Sequence, residues 1–353
     1  MRLLDRYIIR SVSAAILLVL LVVMALDFVF AYIAELDDTR NDYQAWEAFL
    51  FMVYTLPRRL YDFLPLAAFM GALIGLGQLA NNSELVVIRA AGVSLRRITW
   101  AGMKPALVVV AISLFIGDYV APVTERIAQS EKAVARDGGD AAAAARGFWH
   151  REDDVFMHFN TVRANGDLHG VSLFRFDDDH WLEEALYAER GVYQGDYWQL
   201  HDVEVSRLTR EQVTTDSTET LRWDNELSPD VLSVLIVRPD RLSIQGLYTY
   251  SRYMEGQGLN AEDYWLAFWK KVLQPFATAA MVLLAISFVF GPLRSVSMGF
   301  RIFCGLLAGL GFKYTQDLLG PMSLVYGFNP ILATLVPIVI AAGLGAILLK
   351  RAG

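Results

Sequence analysis

The 353-residue chain contains one cysteine, Cys304, so no intramolecular disulfide can brace it. It has no G-x-x-x-x-G-K-S/T loop, so it cannot hold ATP in the Walker manner, and any ATP-driven work must come from another polypeptide. It also lacks a G-x-S-x-G nucleophile elbow. Five histidines, His150, His158, His169, His180 and His201, include no pair at zinc-ligand spacing, and no cysteine lies near them. They read as satisfied or surface side chains rather than a metal or hydrolase centre. No strand–helix–strand alternation appears, which argues against a nucleotide-binding sheet. No small-residue cleavage site follows the N-terminal apolar run. Glu35, Asp37 and Asp38 come instead, which reads as an uncleaved first span.

Apolar length is what the chain has in excess. Its 55% hydrophobic content lies above that of soluble domains. The excess sits in six stretches: Val12–Ile33, Leu60–Ala80, Met103–Val120, Val272–Phe290, Ile302–Leu319 and Ile331–Leu349. Each has the length a helix needs to cross a hydrocarbon core of roughly 30 Å. In lipid a backbone must satisfy its own hydrogen bonds, so such runs are read as helices. Three precede and three follow a polar block, Pro122–Phe268. The sequence therefore predicts a six-span helical membrane protein with one domain outside the bilayer. The expected division is 1–121 (spans one to three), 122–268 (the inserted domain with flanking helical segments) and 269–353 (spans four to six).

Charge is split the same way. The block from Pro122 to Phe268 has 27 acidic and 14 basic residues, and the remainder is net positive. Arg2, Arg6, Arg10, Arg89, Arg96, Arg97, Lys104, Arg294, Arg301, Lys350 and Arg351 flank the spans on one side, against only Asp5 and Glu84 there. The positive-inside rule puts that side and both termini in the cytoplasm, and the acidic block in the opposite compartment. Such a split reports sidedness rather than a nucleic-acid partner.

Within the block the pattern changes to period two. Val155–Phe159, Val171–Phe176, Val192-Tyr193, Tyr197–Leu200, Val203–Leu208 and Val231–Val237 read as strands. Asn165-Gly166, Asp177–His180, Gly195-Asp196 and Pro229-Asp230 supply turns. The expectation is an antiparallel, all-β, jellyroll-like sandwich or half-open roll. Leu247, Tyr250, Met254 and Leu259 follow at loosely helical spacing. Tyr264, Trp265, Phe268 and Trp269 then read as an interfacial anchor for the fourth span, with a gating role as the alternative.

Between the second and third spans, Ser83-Glu84-Leu85-Val86-Val87-Ile88-Arg89-Ala90-Ala91-Gly92 predicts a helix of about two turns. Ser83 is expected to cap its amides, Glu84 to favour its dipole and Gly92 to stop it. Four consecutive apolar residues displayed on so short a helix need cover. They either rest on the membrane surface or dock into a groove on a partner, and spacing leaves both readings open. Lys313 and Asp317, four apart in the fifth stretch, share a helix face and read as a mutually neutralising pair, with a substrate or gating role as the alternative. Asp27 is expected near enough to the interface to be hydrated. Gly71/Gly75 and Gly305/Gly309 have the spacing of close helix contacts.

The segment Ser83–Gly92, the preceding Gly71–Gly77, the Phe290–Gly299 stretch, Leu4–Ile8 and Leu324–Pro330 resemble the lipopolysaccharide export permeases, the LptF/LptG family. Phe290–Gly299 places the resemblance nearer the LptG branch. It covers nearly the whole chain, most weakly in the β domain. It implies an ATP-driven exporter of the inner membrane that extracts lipopolysaccharide and hands it to a periplasmic bridge. The implied partners are an LptB ATPase dimer, LptF, LptC and LptA. ATP and Mg would be used by the partner ATPase, and this chain would bind no cofactor or metal and catalyse nothing. Ser83, Glu84, Leu85, Val86, Val87, Ile88 and Arg89 would couple to LptB.

Lipopolysaccharide presents phosphates at the outer rim, where Arg58, Arg59, Lys270 and Lys271 lie against the orientation rule. They suit phosphate binding, or plain interfacial anchoring by snorkelling. Where the family carries lysines after the first span, this chain has Leu36-Asp37-Asp38. Lys132 and Arg136 are expected to share that work. The rival readings are a mechanotransmission or sensing protein that moves its outer domain without passing lipid, and a membrane-bound enzyme using the histidine-rich domain.

Overall fold

The computed structural model describes residues 2–40, 42–137, 148–152, 154–162, 166–177, 179, 181–225, 227, 239–256, 260–291 and 296–352. The expected strand Val231–Val237, the Pro229-Asp230 turn, Asn165, Asp178, His180, Leu259, Arg294 and the Arg136 side chain lie outside the described residues.

The apolar stretches extend into longer helices than their greasy centres. They are α1 (Arg2–Leu36), α2 (Ala45–Asn81), the short α3 (Glu84–Ala90) and α4 (Leu95–Phe115). A π-turn, Ile116–Val120, carries α4 directly into α5 (Ala121–Asp137). After the β domain come α6 (Ile244–Gly256), α7 (Glu262–Phe290), α8 (Met298–Tyr326) and α9 (Pro330–Ala352). Five of these helical runs are long and apolar enough to cross a membrane: α1, α2, α4 with α5, α7 and α9. The expected fifth span corresponds to α8, whose 29 residues reach across but carry Arg301, Lys313 and Asp317. The chain is a multi-pass membrane protein.

The bundle core joins one face each of α1, α2, α4 and α7, with Leu73, Leu76, Ile98, Val12 and Val282 all excluded from solvent. Helix packing in lipid depends on close contact rather than on a hydrophobic drive. Gly71 and Gly75 provide it. A Cβ at Gly71 would run into the Ile16 backbone, and one at Gly75 would lie 2.9 Å from Val12 Cα. Gly305 meets Leu73 and Gly309 meets Leu66 and Phe69, so the second glycine pair lets α8 lie against α2. By contrast Leu17, Leu21 and Phe30 of α1, and Phe303, Leu307 and Leu318 of α8, are exposed.

Six strands form one antiparallel sheet in chain order, a meander. They are β1 (Phe148–Glu152), β2 (Val155–Val162), β3 (Leu168–Phe176), β4 (Leu182–Tyr193), β5 (Trp198–Leu208) and β6 (Val213–Trp223). Phe159, Leu168, Val171, Ala188 and Trp198 on one face are all at 0% exposure. Outside the sheet, only Leu227 and Tyr253 join this cluster among the described residues. The Phe159 ring of β2 lies 6.4 Å from the Trp223 ring of β6, so the sheet curls its apolar face inward, in keeping with the half-open roll that alternation suggested. The two segments expected at Tyr197–Leu200 and Val203–Leu208 are one strand, kinked at Asp202, whose φ of 54° leaves it outside the register. Strand β1, the part of β4 before Val192, and strand β6 were not expected. Strand β6 is an edge strand exposed along most of its length, so it lacks the alternation that marks a buried face.

Helix α6 packs on α7 through rings. Tyr250 meets Tyr264 at 4.5 Å and Tyr248 meets Trp265 at 6.0 Å between centroids. The aromatics read as an interfacial anchor thus join the β domain's return helix to the fourth span.

Two expectations follow. Gly71→Val should destabilise the bundle by about 1–3 kcal/mol through overpacking. Gly343→Val, where open space surrounds the position, should change little, and equal thermal midpoints in detergent for the two variants would refute the close-approach argument. Burial holds His150 and His158 below the ordinary value of 6.5. The unfolded chain therefore takes up protons first, so this stability is intact above pH 6.5 and is lost as pH falls from there towards the folded values. Denaturation followed by the fluorescence of buried Trp198 should show a lower midpoint at about pH 5.5 than at about pH 7.5. The difference should shrink in the His150→Gln/His158→Gln variant.

Candidate functional site

The expected site residues gather at two ends of the bundle. At the arginine-rich end, α3 starts from Ser83 in the left-handed region (φ 60°), whose carbonyl accepts from the amides of Val86 (3.1 Å) and Val87 (3.2 Å). The expected side-chain cap is absent: the Ser83 hydroxyl makes no capping hydrogen bond. Capping needs an extended backbone at that position, and a left-handed one turns the hydroxyl away. Gly92, at φ 84°, ends the helix as expected and donates its amide to the Arg89 carbonyl at 3.0 Å.

The apolar run does not face one way. Leu85 is 3% exposed and Ile88 packs against the same core, while Val86 and Val87 stand 51% and 67% exposed. Residues three apart share a helical face, so one face anchors and the other is presented. The expectation that all four are displayed is corrected on this point. A recess of about 410 Å³ lies beside the helix, lined by Ala80, Leu85, Val86, Arg89 and, from α7, Val289 and Phe290.

Polar ties bind α3 to its neighbours. The Tyr7 hydroxyl donates to Glu84 at 2.8 Å, and Arg89 donates to the Ala352 carbonyl at 3.4 Å. Nearby, Arg97 grips both Asp5 oxygens at 3.0 Å, joining α4 to α1. Arg301, 1% exposed, donates to the Gly77 carbonyl at 2.7 Å, near the negative end of the α2 dipole. Sequence reasoning saw Arg301 only as a flanking charge. Its position immediately before the apolar run Ile302–Leu319, one residue after Phe300, was the available signal.

At the β-domain end, four of the expected cations, Arg58, Arg59, Lys132 and Lys271, each have an internal partner or a buried seat, and among those whose side chains are described there is one exception. Arg58 bridges Asp62 (3.1 Å) and Asp240 (2.8 Å), and its Nη1 is buried with no hydrogen-bond partner. Arg59 pairs with Asp27 at 2.7 Å, an ion-pair partner that the sequence did not suggest. Lys132 pairs with Glu35 and with Asp38 (3.1 Å), its ammonium 4.8 Å from the Phe51 ring centre. The acidic segment after the first span thus neutralises Lys132. Lys271 is 8% exposed and donates to backbone carbonyls. The exception is Lys270. It lies beside Gly320 of α8, is half-buried, and has no ion-pair partner among the described residues.

Lys313 and Asp317 pair at 3.3 Å, as their spacing suggested, on the exposed face of α8. Asp118, Glu125 and Asp240 escaped sequence reasoning, although Asp118 is an acidic residue inside an apolar run. Among the described residues, the histidines form no cluster that could hold a metal ion. His150 meets the Tyr253 hydroxyl at 3.4 Å, His158 lies 4.8 Å from the Trp149 ring, and His201 pairs in register with Arg190 and Thr220.

Residues 6–351 match the family described as lipopolysaccharide export system permease LptF/LptG. The chain is 35% identical over 338 residues to the lipopolysaccharide export system permease protein LptG of Escherichia coli strain K12, covering 95% of this chain and 94% of that protein. It is likewise 35% identical over 337 residues to the protein of the same description from Haemophilus influenzae, with the same coverage. A match of this extent spans both halves of the helical bundle and the β domain, and the chain belongs to the LptF/LptG family of lipopolysaccharide export permeases, close to LptG.

Proposed function

We propose that the chain is the non-catalytic, LptG-type permease subunit of an ATP-driven exporter that lifts lipopolysaccharide out of the inner membrane and passes it to a periplasmic bridge. The observation that carries this reading is the split character of α3, with Leu85 rooted in the bundle core and Val86 and Val87 turned outward. A short helix so built is a handle: something outside can grip one face while the other moves the spans. The grip belongs to an LptB ATPase dimer, which uses ATP and Mg, while this chain binds no cofactor. LptF completes the membrane unit, and LptC and LptA receive lipid from the β domain. The arginine-rich end and both termini face the cytoplasm by the positive-inside rule, and the β domain is periplasmic.

Force applied at α3 has defined routes into the bundle, through Glu84 to Tyr7 of α1 and through Arg89 to Ala352 of α9. The exposed apolar flanks of α1 and α8 suit acyl chains and membrane lipid. Lys270 suits a phosphate as it stands. Arg58, Arg59, Lys132 and Arg136 complete a cationic rim, in which a phosphate oxygen competes with the carboxylates for guanidinium and ammonium donors. The internal pairing of Arg58, Arg59 and Lys132 is also the one observation that favours the alternative, mechanotransmission without lipid passage. Photocrosslinkers at Leu21 in α1 and Leu307 in α8 separate the two, since only the exporter reading yields lipopolysaccharide adducts there.

Coupling is tested by comparing the two faces of α3. Val87→Asp should reduce co-purification of the ATPase by at least about tenfold, as expected for a buried hot-spot contact, with the thermal midpoint of the chain unchanged. Leu85→Asp should lower that midpoint, because it buries an unpaired charge. Full ATPase recovery with Val87→Asp would sink the docking reading.

A further inference from the structure

The polypeptide leaves the bundle and returns to it through two segments that meet at one side chain. On the way out, the π-turn at Ile116–Val120 interrupts the α4–α5 ladder. Such turns widen the helix and open carbonyls to other donors, and they are frequent at functional sites. On the way back, a single 3₁₀ turn, Pro239–Arg241, precedes α6. The Lys271 ammonium, from α7, donates to the Gly117 carbonyl of the π-turn at 2.9 Å and to the Leu242 carbonyl of the return segment. The Tyr61 ring of α2 lies 5.5 Å from the same nitrogen. Gly117 is needed there, because a Cβ would strike that ring.

Three further contacts hold the same short return segment. The Ile244 amide donates to Asp118 Oδ1 at 2.6 Å. Arg58 of α2 donates to Asp240 at 2.8 Å. Arg241 donates to Glu125 of α5, whose side chain is 3% exposed. Residues 239–244 are thus tied to α2, to the α4–α5 junction and to α7 at once. An apolar side chain of similar volume would fill the place of Lys271 without desolvating an ammonium. The ammonium adds direction, because several donors on one nitrogen fix two carbonyls from separate segments at a single point. Its burial also removes it from any external anion.

We propose that Lys271 is the pin of a joint that locks the β domain's return segment to the spans, and is thereby a positioning residue for lipopolysaccharide transfer. Movement of α2 and α7 then turns the return segment and α6 as one body, and the roll follows through the contact between Tyr253 and His150. This inference rests on the exporter reading above.

The test uses the complex purified from its native host in lipid nanodiscs, with Cys304→Ser. Spin labels are placed at Trp46→Cys, at the β-domain end of α2, and at Glu219→Cys, on exposed β6. The otherwise unchanged protein should give one narrow distance distribution. Lys271→Met should widen it about twofold and cut lipopolysaccharide release about tenfold, as expected for losing charge-assisted hydrogen bonds. ATPase co-purification and basal hydrolysis should not change. Asp118→Ala, which frees the Ile244 amide, should widen the distribution as well, and it decides alone if Lys271→Met fails to assemble. Unchanged widths overturn the joint even if release falls, and widening with normal release overturns the positioning role. Absence of any ATPase from the parent preparation would sink the exporter reading, while the distance measurement, which needs no motor, would still judge the joint.

Discussion

A helix in hydrocarbon satisfies its own backbone but can do nothing for an isolated charge. Most of the polar architecture described above follows from that constraint. Charged side chains are pushed to the two ends of the bundle, and there they tie helices together. At one end Asp5–Arg97, Tyr7–Glu84 and Arg301–Gly77 link α1 to α4, α1 to α3 and α8 to α2. At the other, Arg59–Asp27 and Lys132–Glu35 link α1 to α2 and α5, while Arg58 and Lys271 hold the return segment. Between these layers the contacts are apolar and close, made by Gly71, Gly75, Gly305 and Gly309. A bundle with polar ties at its ends and smooth contacts between them can shift helices while keeping its layers in register.

Much of this plan was legible in the sequence because it follows from periodicity. Apolar length marked the spans, alternation marked β2 and β3, and Gly92 marked the end of α3. Periodicity missed β1, β4 before Val192 and β6; β4 buries Leu186, Ala188 and Gly191, of which only Leu186 is a large apolar side chain. Strand β6 is an exposed edge rich in threonine and acidic residues, and β5 was divided because Asp202 interrupts its alternation. The direction of α3 was illegible for another reason. Four consecutive apolar residues give no phase, so only packing could turn Leu85 inward and Val87 outward. The rim cations were found by their place against the orientation rule. Their carboxylate partners come from positions as remote as Asp240 for Arg58, and no local pattern connects them.

The helices are not held equally. Helices α2 and α7 bury long continuous faces, from Ala67 to Gly77 and from Ala277 to Phe290. Helix α8 buries only Arg301, Gly305, Gly309, Gly320 and Ser323. A glycine stripe makes a narrow contact, and van der Waals attraction falls away quickly once such a contact opens. Polar groups fix α8 near one end through Arg301, while at the other Lys270 merely rests against Gly320. Between these points Lys313 and Asp317 satisfy each other on the helix's own surface. A self-neutralised pair of this kind needs no partner on another helix, so it travels with α8 and sets little barrier to its movement. The rigid half of the permease is therefore α2 with α7, which also carry Arg58 and Lys271. A joint rooted there keeps the β domain with the rigid half, while α8, held by a narrow glycine stripe and Arg301, is the helix least restrained by its neighbours.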